Sequence, residues 1–271
     1  MFEFLRTWAG QRGQTSPFPS EDTPFPERFR GRPNVGCVEI AESVDEFCAQ
    51  VPTGAVARGP RGLPVIDLGA CLFSPEEATE SDGCRTTYSR DFRMATRTRE
   101  GLVTATGEVE LARALDKKMR GILGRSLRLR SIVAGSCNGC ESELAALSNV
   151  VFDMARFGVQ FVASPRHADG IVITGVVNSN MVEALKRSCA AVPDPKIVIA
   201  VGACPASGGP FRGSSAIVGI PPSIRVDLWV PGCPPHPLTI LHGLLSLVGR
   251  IHSERRSDAP SEVAETRLSP R

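Results

Sequence analysis

The chain has 271 residues, with 31 Lys and Arg against 29 Asp and Glu and a net charge of +2. That balance gives no electrostatic reason to bind nucleic acid, and no run approaches the ~18–20 apolar residues needed to span a bilayer. Nine cysteines without a secretory or twin-arginine signal predict metal binding in a cytoplasmic setting rather than disulfides.

Residues 1–35 read as an extended N-terminal arm. Its first eight residues, Met1 to Trp8, have the period of a short amphipathic helix that packs on a partner, on a membrane surface or on its own chain. From Gly13 to Pro33 the arm is rich in Pro, Gly, Ser and Arg, which predicts a strand of chain lying on a neighbour or a disordered linker.

Residues 36–104 form a second unit. Cys48-Ala49-Gln50-Val51-Pro52 resembles the end of a ferredoxin cluster motif, with Val51 where a cysteine normally precedes the proline. Val65-Ile66-Asp67-Leu68-Gly69-Ala70-Cys71 resembles the opening of a second such motif, but Ser74 and Pro75 follow where its next cysteine would begin. Cys37, Cys48, Cys71 and Cys84 remain where two clusters would ask for eight ligands. Together they suffice for one cluster or a zinc ion. The absence of any compact ligand run favours a degenerate ferredoxin-like α+β scaffold kept for docking.

Residues 105–130 read as a helical linker, with apolar positions Val109, Leu111, Ala112, Leu115 and Met119. Lys117, Lys118, Arg120, Arg125, Arg128 and Arg130 follow as a basic patch. It is either a solvated face or a contact for an acidic partner or lipid headgroups.

Residues 131–252 alternate strand-like and helix-like segments. Ile132 to Ala134 is a short buried strand that breaks at Gly135 into Ser136-Cys137-Asn138-Gly139-Cys140-Glu141. A helix is predicted over 141–157, with Leu144, Leu147, Val151, Met154 and Phe157 inward. Strands follow at 159–163 and 170–174, then a helix capped by Asn178 or Ser179 and running to about Cys189. Strand 196–201 leads into Gly202-Ala203-Cys204-Pro205, and strand 225–230 into Pro231-Gly232-Cys233-Pro234-Pro235. The last helix spans about 236–250, and the charged tail 253–271 reads as disordered. The alternation predicts an α/β fold: an open, mainly parallel sheet with helices on both faces.

Three strands thus end in cysteine loops. The carboxyl ends of parallel strands share one sheet edge, where ligands bind, so Cys137, Cys140, Cys204 and Cys233 are the candidate metal ligands. Four thiolates suit zinc or an iron–sulfur cluster. One pair and two distant singletons, set among glycines that free backbone N–H groups, favour [4Fe–4S] over the paired knuckles of structural zinc. Cys189, on a helix before Ala190 and Ala191, reads as a core thiol.

Four ordered blocks now carry a family resemblance. They are Gly-Ser-Cys-Asn-Gly-Cys-Glu at 135–141, Ser-Pro-Arg-His-Ala-Asp-Gly at 164–170, Gly-Ala-Cys-Pro at 202–205 with Ser207-Gly208-Gly209, and Pro-Gly-Cys-Pro-Pro at 231–235. They resemble the small electron-transfer subunit shared by respiratory complex I and [NiFe] hydrogenases. The C-x-x-C pair resembles the group 4, formate-hydrogenlyase type. The resemblance implies a flavodoxin-like domain with one [4Fe–4S] cluster. It also implies a large catalytic subunit as partner, further iron–sulfur or membrane subunits next to it, and a place at the inner face of the membrane. With Phe29-Arg30-Gly31-Arg32-Pro33, the first half resembles the ferredoxin-type subunit of formate hydrogenlyase, which makes the chain a fusion.

Three further residues are candidates for the cluster surroundings or a proton route. Glu141 is either a carboxylate stabilised by its helix N-terminus or, as the resemblance implies, part of a proton path. Arg166 and His167 either raise the cluster potential or belong to a capped loop in which His167 meets Asp169. The expected role is single-electron transfer with no substrate chemistry in this chain. The alternative is a non-redox assembly, docking or sensory subunit.

Overall fold

The computed structural model describes residues 2–10, 13–21, 23–37, 41–51, 53–60, 62–75, 80–81, 84–104, 109–115, 119, 121, 123 and 126–251. The chain opens with α1 (Phe2–Gly10), then β1 (Pro33–Cys37), α2 (Ala41–Gln50), β2 (Val56–Arg58), β3 (Pro64–Asp67), β4 (Glu80–Ser81), β5 (Cys84–Tyr88) and β6 (Val103–Thr104). The second half runs β7 (Leu127–Val133), α3 (Gly139–Ala146), β8 (Val159–Phe161), β9 (Gly170–Thr174), α4 (Val182–Ala191), β10 (Ile197–Val201), α5 (Ala203–Ser207), β11 (Leu228–Val230) and α6 (Pro237–Leu247).

The second half is the predicted α/β fold. Five strands lie in the order β11-β10-β9-β7-β8, every neighbour parallel. Counted from β7 this is the flavodoxin-like order 2-1-3-4-5, whose switch point falls between β7 and β9. Side chains alternate across the pleat. Val172, Ile197, Ile199 and Val201 face a core shared with α3 and α6, while Ile171, Ile173 and Val198 face one shared with Leu185 of α4.

The first half is an α+β unit. It has two three-stranded antiparallel sheets, β1-β5-β4 and β2-β3-β6, and Phe47 of α2 is fully buried in their core. This half also closes an edge of the large sheet. Thr96 and Trp229 exchange both backbone hydrogen bonds, at 3.0 and 2.9 Å, in an antiparallel bridge on β11.

Several boundaries differ from those read in the sequence. The helix expected over 141–157 stops at Ala146, because the Asn149 side chain accepts from the Val151 and Phe152 N–H groups and turns the chain; 154–157 is a separate 3-10 turn. The helix expected from Asn178 begins at Val182, and the strand expected over 225–230 is confined to Leu228–Val230. The strand expected at 132–134 begins at Leu127, which puts Arg128 and Arg130 on a strand instead of in a linker patch. Residues 109–115 are not helical. They run along the core, with Ala112 N–H bonded to Ala95 O and Leu115 N–H to Leu247 O. The other four basic residues of that patch and the tail lie outside the described residues.

The arm lies on its own chain. Phe18 is buried in the core of the second half. Phe25 and Phe29 stack at 4.1 Å and meet the His236 ring edge-on at 5.2 and 5.4 Å. Arg156 Nη2 donates to the carbonyls of Ser16 and Phe18 at 2.8 and 2.7 Å.

Two stability predictions come from this packing. Arg156→Ala leaves two carbonyls without their charged donor, so it lowers unfolding stability by about 2–3 kcal/mol and opens 13–21 to limited proteolysis. His242 of α6 sits against Phe92, and burial, with Arg93 next, holds its pKa down at about 4 from 6.5 while Asp91 opposes. The folded state therefore refuses a proton that the unfolded chain accepts. Stability is complete above about pH 6.5 and is lost as pH falls toward 4. Urea midpoints at pH 7 and pH 5 should differ less in His242→Gln, with a residual drop from His236, which burial also lowers to about 4.

Candidate metal centre

The strand exits explain how the cysteines gather. β7 ends at Val133, and the chain leaves through Gly135, whose carbonyl accepts from Val176 N–H just beyond β9. Cys137 and Cys140 follow at the start of α3, across the switch point. β10 ends at Val201 and α5 carries Cys204; β11 ends at Val230, three residues before Cys233. The two exits are stitched together by Gly202 N–H to Val230 O and Ala203 N–H to Gly232 O, both at 2.8 Å.

The four thiols feel one another. Burial first, then Glu141, Cys204, Cys233 and Cys137, push the Cys140 thiol up to about 12. Burial, then Cys233, Cys137 and Glu141, push Cys204 up to about 11. Cys140 is buried, Cys204 and Cys233 are half-buried, and Cys137 is exposed. Two glycines leave the room these sulfurs occupy. A Cβ on Gly202 would lie 2.7 Å from Cys140 Sγ, and one on Gly209 would lie 2.9 Å from Cys204 Sγ; their φ values of +100° and +53° suit glycine.

Four thiols at one sheet edge, with Gly202 and Gly209 leaving room beside Cys140 and Cys204, are a donor set that soft metal ions and iron–sulfur clusters take. Among the described residues no three His, Cys, Asp or Glu side chains are arranged to hold a metal ion.

Glu141 sits in the first turn of α3 beside these thiols. Its Oε2 accepts from the Ser136 hydroxyl at 2.6 Å, and its Oε1 is buried with no partner. Arg166 and His167 stand apart. They are exposed on a 3-10 turn that leads into Asp169. Asp169 is bonded to the backbone and side chain of Arg128, not to His167, at the amino end of β7, across the sheet from the cysteine loops.

Among its described residues the first half offers no matching set. Cys84 is disulfide-bonded, which corrects the expectation that all nine cysteines avoid disulfides and removes it from any four-thiol site there. The antiparallel ladder places residue 84 opposite residue 37 in register. Cys71 is buried and its Sγ accepts from Phe73 N–H; Cys48 lies on α2. Sequence reading missed Arg99, which bonds both Asp67 and the α5 backbone. An isolated arginine after a loop carries no motif that would have marked it.

Residues 137–247 match the family described as NADH ubiquinone oxidoreductase, 20 Kd subunit. The chain is 42% identical over 145 residues to the probable membrane-bound hydrogenase subunit mbhJ of Pyrococcus furiosus, covering 53% of this chain and 86% of that protein. It is 43% identical over 131 residues to an NADH-quinone oxidoreductase subunit of Citrifermentans bemidjiense, covering 48% and 77%. With formate hydrogenlyase subunit 7 of Escherichia coli it shares 39% over 142 residues, covering 52% and 56%. The chain belongs to the complex I 20 kDa subunit family, which these hydrogenase subunits share.

Burial and exposure predict an order of thiol reactivity. In cluster-free protein at pH 8, iodoacetamide should modify Cys137 at least about tenfold faster than Cys140, because the buried thiol holds its proton. Peptide mass spectrometry reads both rates.

Proposed function

We propose that this chain is the electron-transfer subunit of a hydrogenase-type or NADH:quinone oxidoreductase-like complex. It carries one [4Fe–4S] cluster on Cys137, Cys140, Cys204 and Cys233 and relays electrons to or from a large catalytic subunit. The observation that carries this reading is that the parallel strands β7, β10 and β11 all lead into cysteine loops at one sheet edge. The names of the relatives, subunits of a membrane-bound hydrogenase and of quinone oxidoreductases, support a multi-subunit assembly. No helix among the described residues is long and apolar enough to cross a membrane, so membrane association in this reading runs through partner subunits.

When bound, a [4Fe–4S] cluster supplies a one-electron store whose potential depends on charge, hydrogen bonds and solvent exposure around it. This chain supplies the surroundings. Buried Cys140 and half-buried Cys204 give up their protons on ligation, so cluster loading releases protons. Gly202 and Gly209 keep the sulfurs unobstructed. Glu141, with one oxygen free, is placed to hold a proton or a partner's hydrogen bond close to Cys140 and Cys204.

Anaerobically purified protein should contain about four iron atoms and four acid-labile sulfides per chain, with a reduced-state EPR signal that Cys204→Ser abolishes or alters. Zinc without iron would overturn the reading in favour of a four-thiolate scaffold. About eight irons would mean that the first half holds a cluster as well.

A further inference from the structure

Outside the family match, at residues 67 and 99, lies an ion pair that reaches the cysteine edge. Arg99 divides its guanidinium between two neighbours. Nη1 and Nη2 donate to Asp67 Oδ1 and Oδ2 at 2.8 and 2.7 Å, and Nε donates to the carbonyl of Ala206 at 2.8 Å. Ala206 lies on α5, two residues after Cys204. Asp67 ends β3 in the first half, and its carboxylate is further oriented by Gly69 N–H at 2.9 Å. Gly69 also makes room for the fork, since a Cβ there would come within 2.8 Å of Arg99 Cζ. Both side chains are about three-quarters buried, at 26% and 23% exposure, so water screens them less than a surface pair.

We propose that Asp67 and Arg99 form a clamp through which the first half fixes the Cys204 helix and sets the potential of the cluster bound there. The second part rests on the electron-transfer reading. Reduction adds one electron to a site already ringed by four thiolates. The Arg99 cation, bonded directly to the ligand-bearing helix, favours that added charge. The Asp67 anion, one bond further out, offsets it in part. Arg99 and Asp67 are positioning residues; neither is a ligand. The graded order of the two charges gives a signature that loosening of the fold does not. Removing Arg99 lowers the potential, and removing the Asp67 charge raises it.

The test uses the full chain, purified without oxygen, as wild type, Arg99→Gln, Arg99→Lys and Asp67→Asn. Iron and sulfide are assayed, and potentials are read by EPR during titration with dithionite through mediator dyes. At the wild-type midpoint, the ratio of reduced to oxidised cluster should be at least about threefold lower in Arg99→Gln and at least about threefold higher in Asp67→Asn. Each is a shift of about 28 mV at 59 mV per tenfold for one electron. Arg99→Lys keeps the cation and loses the fork, so its potential should stay within about twofold of wild type by the same measure.

A second readout needs no metal. Alkylation of Cys204 in cluster-free chain should be at least about threefold faster in Arg99→Gln and Arg99→Lys than in wild type. Shifts of one sign in Arg99→Gln and Asp67→Asn, or none with iron retained, overturn the tuning role. Unchanged Cys204 alkylation overturns the clamp itself. Wild-type chain without iron overturns the electron-transfer reading and the tuning with it, while the alkylation rates still decide the clamp.

Discussion

Parallel strands must leave a sheet at one edge, and most of this molecule depends on that constraint. The four cysteines lie on three loops far apart in sequence, as one C-x-x-C pair and two singletons. They meet because β7, β10 and β11 are parallel and end together. The strand order then adds specificity: at the β7/β9 switch point the connections diverge to opposite faces, leaving a crevice that the first cysteine loop fills. Close backbone stitching between the exits of β10 and β11 sets the remaining two thiols beside it.

The gathering of thiols has a cost of its own. Burial and mutual repulsion make ionised sulfur unfavourable in the protein alone, as the raised Cys140 and Cys204 values indicate. The protein alone therefore holds Cys140 and Cys204 as neutral thiols at ordinary pH. A metal centre of the proposed kind would compete with those protons, and the neighbouring glycines serve twice, through their positive φ and through the room they leave beside the sulfurs.

Much of the second half was legible in its sequence, because buried parallel strands read as compact apolar runs. Gly170–Thr174 has the predicted bounds and Ile197–Val201 begins one residue late. The helix after the first cysteine pair was over-read. Leu144, Leu147 and Met154 do reach the core as their spacing implies, but one Asn149 side chain diverts the backbone between them. The arm was harder still. Phe18, Phe25 and Phe29 are spaced seven and four apart, but Pro19, Pro24 and Pro26 bar a helix there, so the composition hides the fact that they are anchored. Asp67 and Arg99 show the general limit: a tertiary ion pair between distant loops leaves no trace in either loop. The domain divisions blur for a related reason, since Phe18, Ala95, Ala112 and Leu115 share one core with α6.

The bridge between Thr96 and Trp229 bears on what happens when the two halves are separated. β11 is the last strand of its sheet, and on that side its backbone finds its partners in the first half of the chain. A fragment restricted to the second half, from β7 onward, would present that row of donors and acceptors to water, next to the apolar side chains that Ala95 and Ala112 now cover. An uncovered edge of that kind is a template for intermolecular strand pairing. The first half thus acts as a guard against self-association as well as a scaffold, and it can be retained for that duty whether or not it ever held a metal.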